Sequence, residues 1–364
     1  MQVDKDYVLS ALKKIQEPDL GKDIVSLDMV HEIKVEGGRV SLTIESLAPL
    51  YPTEVELANS CRTALLDLPG VEEVDLQTRF RVTAAPRTDN KELLPQVKNT
   101  IAIASGKGGV GKSTLAVNAA VHLARMGAKV GLLDADVYGP SIPKMTGVEG
   151  QKQLEDSGSG KPAPPEAHGM KIVSIGFFID DDQPVIWRGP MAHQALRQFI
   201  SDFEWGELDY LILDLPPGTG DIQLSLAQTI PLTGAVIVCT PQDVALLDAT
   251  KGLKMLQQVQ ANIFGIVENM SWYVCPHCGE RTEIFSHGGA RAASDSLNVG
   301  FLGEIPIDTE IRVGSDAGKP YMAGEKDDTE VGKAYIDVCQ NLVSAIKKHN
   351  DEASGTGFTI NIKR

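Results

Sequence analysis

The sequence predicts an α/β protein with a mostly parallel, doubly wound sheet, preceded by a small α+β domain. Three observations predict it. From residue 100 onward, short apolar runs alternate with helical patterns, the rhythm of strands buried on both faces and joined by crossover helices. One of these runs, Ile101 to Ala104, leads straight into a glycine-rich loop that opens a helix. The first 84 residues keep a different rhythm of helix, paired short strands, helix and strand.

Composition sets the bounds. With 364 residues, 42% apolar and 23% charged, the chain has the make-up of a globular protein and the length of two domains. Its formal charge of −15 argues against gripping nucleic acid over a broad basic face. No apolar run approaches the roughly 18 residues that cross a bilayer, so no membrane partner is expected. The opening residues carry neither a basic stretch nor an apolar one, and five cysteines are too few and too odd for a disulfide framework. A reducing cytoplasm is the expected location.

In the amino-terminal unit, residues 1–84, Val8, Leu9, Leu12 and Ile15 share helical spacing until Pro18-Asp19-Leu20-Gly21 breaks it. Met29 to Val35 and Arg39 to Glu45 alternate on either side of Gly37-Gly38, a hairpin signal. Pro52 to Leu68 is amphipathic, with Val55, Leu57, Ala58, Cys61, Leu65 and Leu68 on one face. Val71 to Val82 supplies a third strand. Residues 85–99 read as a linker, 100–349 as the main domain and 350–364 as a tail whose Phe358, Ile360 and Ile362 alternate.

The main domain offers seven apolar runs as strands: Ile101–Ala104, Val130–Leu133, Ile172–Ile175, Tyr210–Leu213, Ala235–Val238, Ile263–Val267 and Phe301–Leu302. Gly150 to Gly169, rich in Gly, Ser and Pro, reads as a surface loop. After the first strand comes Gly106-Lys107-Gly108-Gly109-Val110-Gly111-Lys112-Ser113-Thr114. Glycines let backbone N–H groups turn inward onto phosphate oxygens, and the following helix adds the positive end of its dipole. Lys112 is placed to reach the β- and γ-phosphates, Ser113 to ligate Mg²⁺, and Thr114 to meet the α-phosphate. This is the phosphate-binding loop of a P-loop NTPase.

Acids follow at strand ends, where doubly wound sheets collect their ligands. Asp134 and Asp136 end the second run; Asp136 suits the orientation of an attacking water, and Asp134 the water shell of the metal. Asp214 follows four apolar residues, the pattern of a carboxylate that holds Mg²⁺ through water. Pro216-Pro217-Gly218 must turn, which puts the Gly218 N–H within reach of a γ-phosphate. Asn269 follows a further strand, and its amide is suited either to a structural turn or to reading the edge of a base. Cys275 and Cys278 stand at CxxC spacing with His277 between them, a pattern open to zinc, to a dithiol redox pair or to half of a four-thiolate site. Cys61, Cys239 and Cys339 fall at apolar positions and read as core.

GKGGVGKS, with its extra Lys107, resembles the deviant phosphate loop of the MinD/ParA-like ATPases. The resemblance implies a homodimer in which Lys107 reaches the partner's ATP. GKGGVGKS, DLPPGTGD, ENMS and CPHC in this order resemble the Mrp (ApbC) family of iron–sulfur cluster carriers, over residues 100 to about 340. That resemblance implies an ATPase whose Cys275 and Cys278 share a [4Fe–4S] cluster between two subunits, for delivery from assembly scaffolds to apo-proteins. It also implies a catalytic Asp136 and an Asn269 on the adenine base. Trp187-Arg188-Gly189-Pro190 matches a family segment as well. Pro18–Gly21, Ile24–Leu27 and the helix entry at Pro49 to Pro52 resemble a PaaD-like domain, with Tyr51 standing where that family often has cysteine. The alternatives are a positioning ATPase of the MinD/ParA type and a zinc ion at the dimer interface.

Overall fold

The structure is a computed structural model, and it describes residues 3–49, 53–86, 93–150, 156–158, 160–178 and 189–355. Tyr51, Trp187, Arg188 and the alternating tail from Phe358 lie outside the described residues. By its contacts the chain divides into two units, Met1–Pro86 with Lys347–Arg364, and Arg87–Ile346.

In the first unit, α1 (Lys5–Leu12) starts at Asp4, whose carboxylate accepts from the Tyr7 N–H at 2.8 Å and so caps an orphan donor. Strands β1 (Val30–Glu36) and β2 (Arg39–Ser46) form the expected hairpin, antiparallel with Val35 opposite Val40. Helix α2 (Thr53–Leu66) then carries the chain over to β3 (Glu73–Phe80), which pairs parallel to β2. Val8, Leu12, Ile24, Ile44, Cys61 and Leu65 meet in one core.

The Pro18–Gly21 stretch is built around a buried carboxylate. One Glu17 oxygen accepts from the Asp19 and Leu20 N–H groups at 2.8 and 2.7 Å. The other accepts from the ammonium of buried Lys347, which also pairs with Asp19. Nearby, Lys22 bonds Asp351 at 2.7 Å, and Asn350 donates to the Thr83 carbonyl at 3.1 Å. The end of the last helix is thereby pinned within this unit by residues of which the sequence placed Lys347 in the main domain and Asn350 and Asp351 in a polar tail.

In the second unit, all seven apolar runs are strands: β4 (Val97–Ala104), β5 (Val130–Asp134), β7 (Met170–Ser174), β8 (Leu208–Asp214), β9 (Gly234–Cys239), β10 (Ile263–Val274) and β12 (Phe301–Ile307). Two further strands are two residues long, too short to leave a pattern: β6 (Glu166–Ala167) and β11 (Arg281–Thr282). The order is β11-β10-β9-β4-β8-β5-β7-β6, with β12 on the other edge of β10. Only β6 and β11 pair antiparallel. β6 occupies part of the stretch read as a loop.

The helices wrap both faces. α3 (Lys112–Arg125) packs on β4, β5 and β8. On β4, Ala102 and Ala104 alternate to the opposite face, in a core with Leu196 of α5 (Gly189–Ser201), Leu226 of α6 (Asp221–Thr229) and Leu253 of α7 (Asp243–Gln258). α4 (Ile142–Thr146) follows β5, while α8 (Gly289–Leu297) and α9 (Thr309–Asp316) flank β12. α10 (Glu330–Gly355) closes the described chain.

One strand departs from expectation. The sequence ends the sixth run at Val267, but β10 continues to Val274. β9 pairs with it only as far as Glu268, whereas β12 follows it to Tyr273 on the other edge. Beyond a bulge, Tyr273 is paired on both edges, with Ile307 of β12 and Thr282 of β11, and Val274 pairs with Arg281 of β11. Trp272, Tyr273 and Val274 are also good strand formers.

Replacing Lys347 by Met leaves the Glu17 carboxylate buried without its cation. The expected cost is about 3–5 kcal/mol in the first unit, with Glu17→Gln/Lys347→Met together costing clearly less, measured by urea denaturation. Equal losses in the single and double variants would show that the pair does not carry the stability.

Candidate nucleotide and thiolate sites

β4 ends at Ala104, and the loop Ser105–Gly111 turns into α3 at Lys112. Two of its glycines are obligatory. A Cβ on Gly106 would lie 2.1 Å from the Asp248 backbone of α7. Gly111 has φ +86°, and a Cβ there would sit 2.0 Å from the Asn269 amide nitrogen. Ser105 Oγ donates to the Lys107 carbonyl at 2.9 Å and braces the turn.

The sheet order then gathers charge. Lys112 Nζ lies 2.6 Å from Asp214 Oδ1 and 3.5 Å from Asp136 Oδ2, and is 6% exposed. Ser113 Oγ donates to Asp214 Oδ2 at 2.5 Å. Asp134, opposite Asp214 across the β5–β8 ladder, accepts from Ser174 Oγ at 2.9 Å and from the Ile142 and Asp136 N–H groups at 3.2 Å each. Burial first, and the Asp214 charge second, hold the Asp134 carboxyl well above the usual range. Burial raises Asp214 too, against the pull of Lys112. The described residues thus set three carboxylates around one ammonium. Hard oxygen donors short of positive charge fit Mg²⁺, with Ser113 and Asp214 as holders and Asp134 behind them.

The sequence missed three supports. Ser174 orients Asp134. Gln223 of α6, 2% exposed, donates Nε2 to the Pro216 carbonyl, while its Oε1 has no partner among the described residues. Glu268 is fully buried and accepts from Ser271 Oγ, Gly288 N and Ala290 N. Ser174 and Gln223 lie in no signature, and Glu268, although it opens the ENMS stretch, shows its role only through the distant N–H groups of Gly288 and Ala290. Gly218, with φ +106°, gives its N–H to the Ser105 carbonyl at 3.0 Å, so the turn is tied to the phosphate loop.

Beside the loop is a cavity of about 530 Å³ lined by Gly111, Thr114, Asn269, Met270, Ile307 and Arg312 among others. Asn269 is 7% exposed, and its Nδ2 donates to the Val110 carbonyl at 2.8 Å. That bond uses one N–H and fixes the amide plane, leaving Oδ1 as an acceptor and the second N–H as a donor. Such a pair suits a base edge that sets an exocyclic amine beside a ring-nitrogen acceptor.

The continuation of β10 leads to Cys275. Cys275 to Glu280 forms the turn of the β10–β11 hairpin, closed by Gly279 N–H to Cys275 O at 2.8 Å and Cys275 N–H to Glu280 O at 3.0 Å. Cys278 and His277 are exposed and Cys275 is half-buried. Backbone N–H groups of Cys278 and then His277 point at the Cys275 sulfur and lower its thiol below the ordinary value. Cys61, Cys239 and Cys339 are buried, and burial pushes each thiol up to about 12. Glu268, His287 and Glu304 also converge, with ligand atoms within 4.8 Å of one another. Their demand is already met: Glu268 has three donors, and Arg281 Nη2 lies 3.2 Å from His287 Nε2.

Lys112→Met would leave the three carboxylates without their ammonium. Because Asp134 and Asp214 bind protons more tightly than free carboxylates, the deficit should fade as pH falls and they neutralise. A loss of about 3 kcal/mol near pH 8, shrinking toward pH 5, is expected by urea denaturation. A pH-independent loss would make packing the cause instead.

Residues 96–343 match the family described as NUBPL iron-transfer P-loop NTPase, and residues 5–76 the one described as iron-sulfur cluster assembly protein. An iron-sulfur cluster carrier protein of Synechocystis sp. is 46% identical, covering 94% of this chain and 97% of its own. That of Escherichia coli is 44% identical, with 86% and 85% covered. A nucleotide-binding protein of Archaeoglobus fulgidus, solved in complex with ADP, is 40% identical with a TM-score of 0.58, over 67% of this chain and 96% of that one. The cell division ATPase MinD of Pyrococcus furiosus, 21% identical with a TM-score of 0.51 over 67% and 98%, shares the fold. The resemblances drawn from the motifs therefore hold in both units. The chain belongs to the iron-transfer P-loop NTPase family, among whose members are iron-sulfur cluster carrier proteins.

Proposed function

We propose that the protein is a cytoplasmic ATPase that takes up a [4Fe–4S] cluster from assembly scaffolds and hands it to apo iron–sulfur proteins. The cluster is cargo, held by Cys275 and Cys278 of two copies of the chain. The observation that carries this reading is the division of the five cysteines. Three are sealed in cores, and two stand together at the surface in the turn just past β10, the strand whose Asn269 and Met270 line the nucleotide cavity.

Two thiolates per chain supply half of a four-thiolate site, and a second copy supplies the rest. Other features support that pairing. Lys107 is half-buried and has no ion pair among the described residues. Val244 and Leu247 of α7 are 66% and 64% exposed, within a turn of the Asp248 backbone that abuts Gly106. Tyr138, beyond Asp136, is 63% exposed. An apolar surface this close to the phosphate loop suits burial against a second copy, with Lys107 crossing to the partner's nucleotide.

Within each copy the loop N–H groups and Lys112 hold the phosphates, and Thr114 meets the α-phosphate. Ser113 and Asp214 would hold Mg²⁺, which supplies charge neutralisation on the phosphate oxygens. Asp136, beside Lys112, orients the water for in-line attack. The Gly218 N–H can exchange its Ser105 partner for a γ-phosphate oxygen, which makes that turn the switch. Asn269 Oδ1 accepts from the adenine amine. No helix among the described residues is long and apolar enough to cross a membrane.

Anaerobic reconstitution with iron and sulfide should give thiolate-to-iron absorption and one cluster per two chains by sedimentation. Cys275→Ser/Cys278→Ser should give neither. Equal iron uptake by that variant, or a loaded species of one chain, would overturn the reading. Asp136→Asn should slow ATP turnover by about 10²–10⁴-fold while leaving nucleotide affinity near normal. Asn269→Ala should narrow the preference for ATP over GTP by about tenfold in equilibrium binding.

A further inference from the structure

We propose that the overlong end of β10, Asn269 to Val274, is a mechanical link by which a base in the 530 Å³ cavity sets the geometry of the Cys275–Cys278 turn. The proposal rests on the nucleotide and thiolate sites assigned above and concerns how one regulates the other.

Its two ends are the two sites. Asn269 lines the base cavity, and Cys275 is six positions further on, the first residue past the end of the strand. Up to Glu268 the strand is held on both edges, by β9 and β12; beyond it, β9 is gone. The segment between is bulged. Asn269 pairs with Ile305 and Tyr273 with Ile307, so four steps on β10 oppose two on β12. Met270 has φ +58°, a left-handed conformation uncommon for a side chain of its size, and it faces the same cavity. The register also shifts earlier in the strand, between Ile266 and Val267 and between Ile263 and Gly265, but this bulge is the longer one and it alone joins a disfavoured dihedral to the cavity wall.

The link has side braces that turn local deformation into movement of the turn. Ser271 Oγ bonds Glu268 at 2.6 Å on the near side. Trp272 Nε1 bonds Glu330 Oε1 of α10 at 2.7 Å, and the Arg281 guanidinium of β11 lies 4.2 Å over the indole. Trp272 therefore touches both arms of the hairpin that carries the cysteines. A second path runs in parallel: Pro306, Ile307 and Asp308 line the base cavity on one side and, on the other, a cavity of about 260 Å³ bounded by Tyr273, Val274 and Pro276. A base pressing on Met270 and Ile307 makes contacts that a phosphate in the loop does not. A population shift follows if the base makes those contacts better in one conformation of the bulge than in another.

The test separates base from phosphate, in the full chain without air, at a dilution where it sediments as one copy. Alkylation of Cys275 and Cys278 by iodoacetamide is followed by peptide mass spectrometry, with the three buried cysteines as internal controls. ADP should change the rate by about fivefold or more, and inorganic pyrophosphate should leave it within about twofold. Trp272→Phe and Glu330→Leu should bind ADP normally by equilibrium dialysis yet lose most of the effect. Glu330→Gln, which keeps an acceptor for the indole, should retain it. An equal response to pyrophosphate, or a full ADP response in Trp272→Phe and Glu330→Leu, overturns the link and leaves both sites standing. Failure of the wild-type chain to bind ADP overturns the nucleotide site and the link together.

Discussion

The contact between Lys112 and Asp214 organises the second unit. It joins the helix that follows β4 to the end of β8, and it does so where both groups are almost fully withdrawn from water. An isolated charge at such depth is prohibitive, so each needs the other, and Asp134 and Asp136 raise the local demand for cations further. The arrangement is therefore stable as a protein and also unsaturated as an electrostatic object. A polyanion accompanied by a divalent metal, as proposed above, would meet that demand without exposing any of the carboxylates, with Lys112 available to the phosphates and Ser113 and Asp214 to the metal. Binding and folding are served by the same few groups, which is why this cluster sits at the strand ends rather than in the apolar layer beneath.

The thiolate site follows a different logic. Its cysteines are held by backbone, in a tight hairpin turn whose N–H groups face sulfur, and not by burial. The cargo role proposed for it requires that exposure, since a cluster must enter and leave. What fixes the turn in place is the unusual length of β10, flanked at its end by β12 on one edge and by β11 on the edge that β9 has left. Asn269 on β10 and the cysteine turn that follows the strand are thus joined by a few residues of chain.

The first unit shows how far a charge pair can substitute for apolar packing. Glu17 organises the turn at Pro18–Gly21 through its two acceptor bonds, and Lys347 neutralises it from the last helix, more than 300 residues away in sequence. The resulting anchor uses residues that any hydropathy reading assigns to solvent.

By itself the sequence determined the elements and the local chemistry. Buried parallel strands must be apolar throughout, so all seven long strands of the main sheet were visible as runs. A phosphate loop needs glycines and a lysine at fixed spacing, so Gly106 to Thr114 was legible, as were Asp134, Asp136 and Asp214 at the ends of their strands and the CxxC pair. Those features are short-range: each is encoded within a dozen residues. Only the tertiary structure decided what depends on neighbours distant in the chain. The extension of β10 past Val267 required β12 beside it, and the two-residue strands carried too little pattern to register. The burial of Glu17, Lys347 and Gln223, and the commitment of the Asn269 amide to Val110, follow from partners supplied by other elements. A polar side chain is the same letter whether it faces water or a partner, and it is packing that chooses between the two.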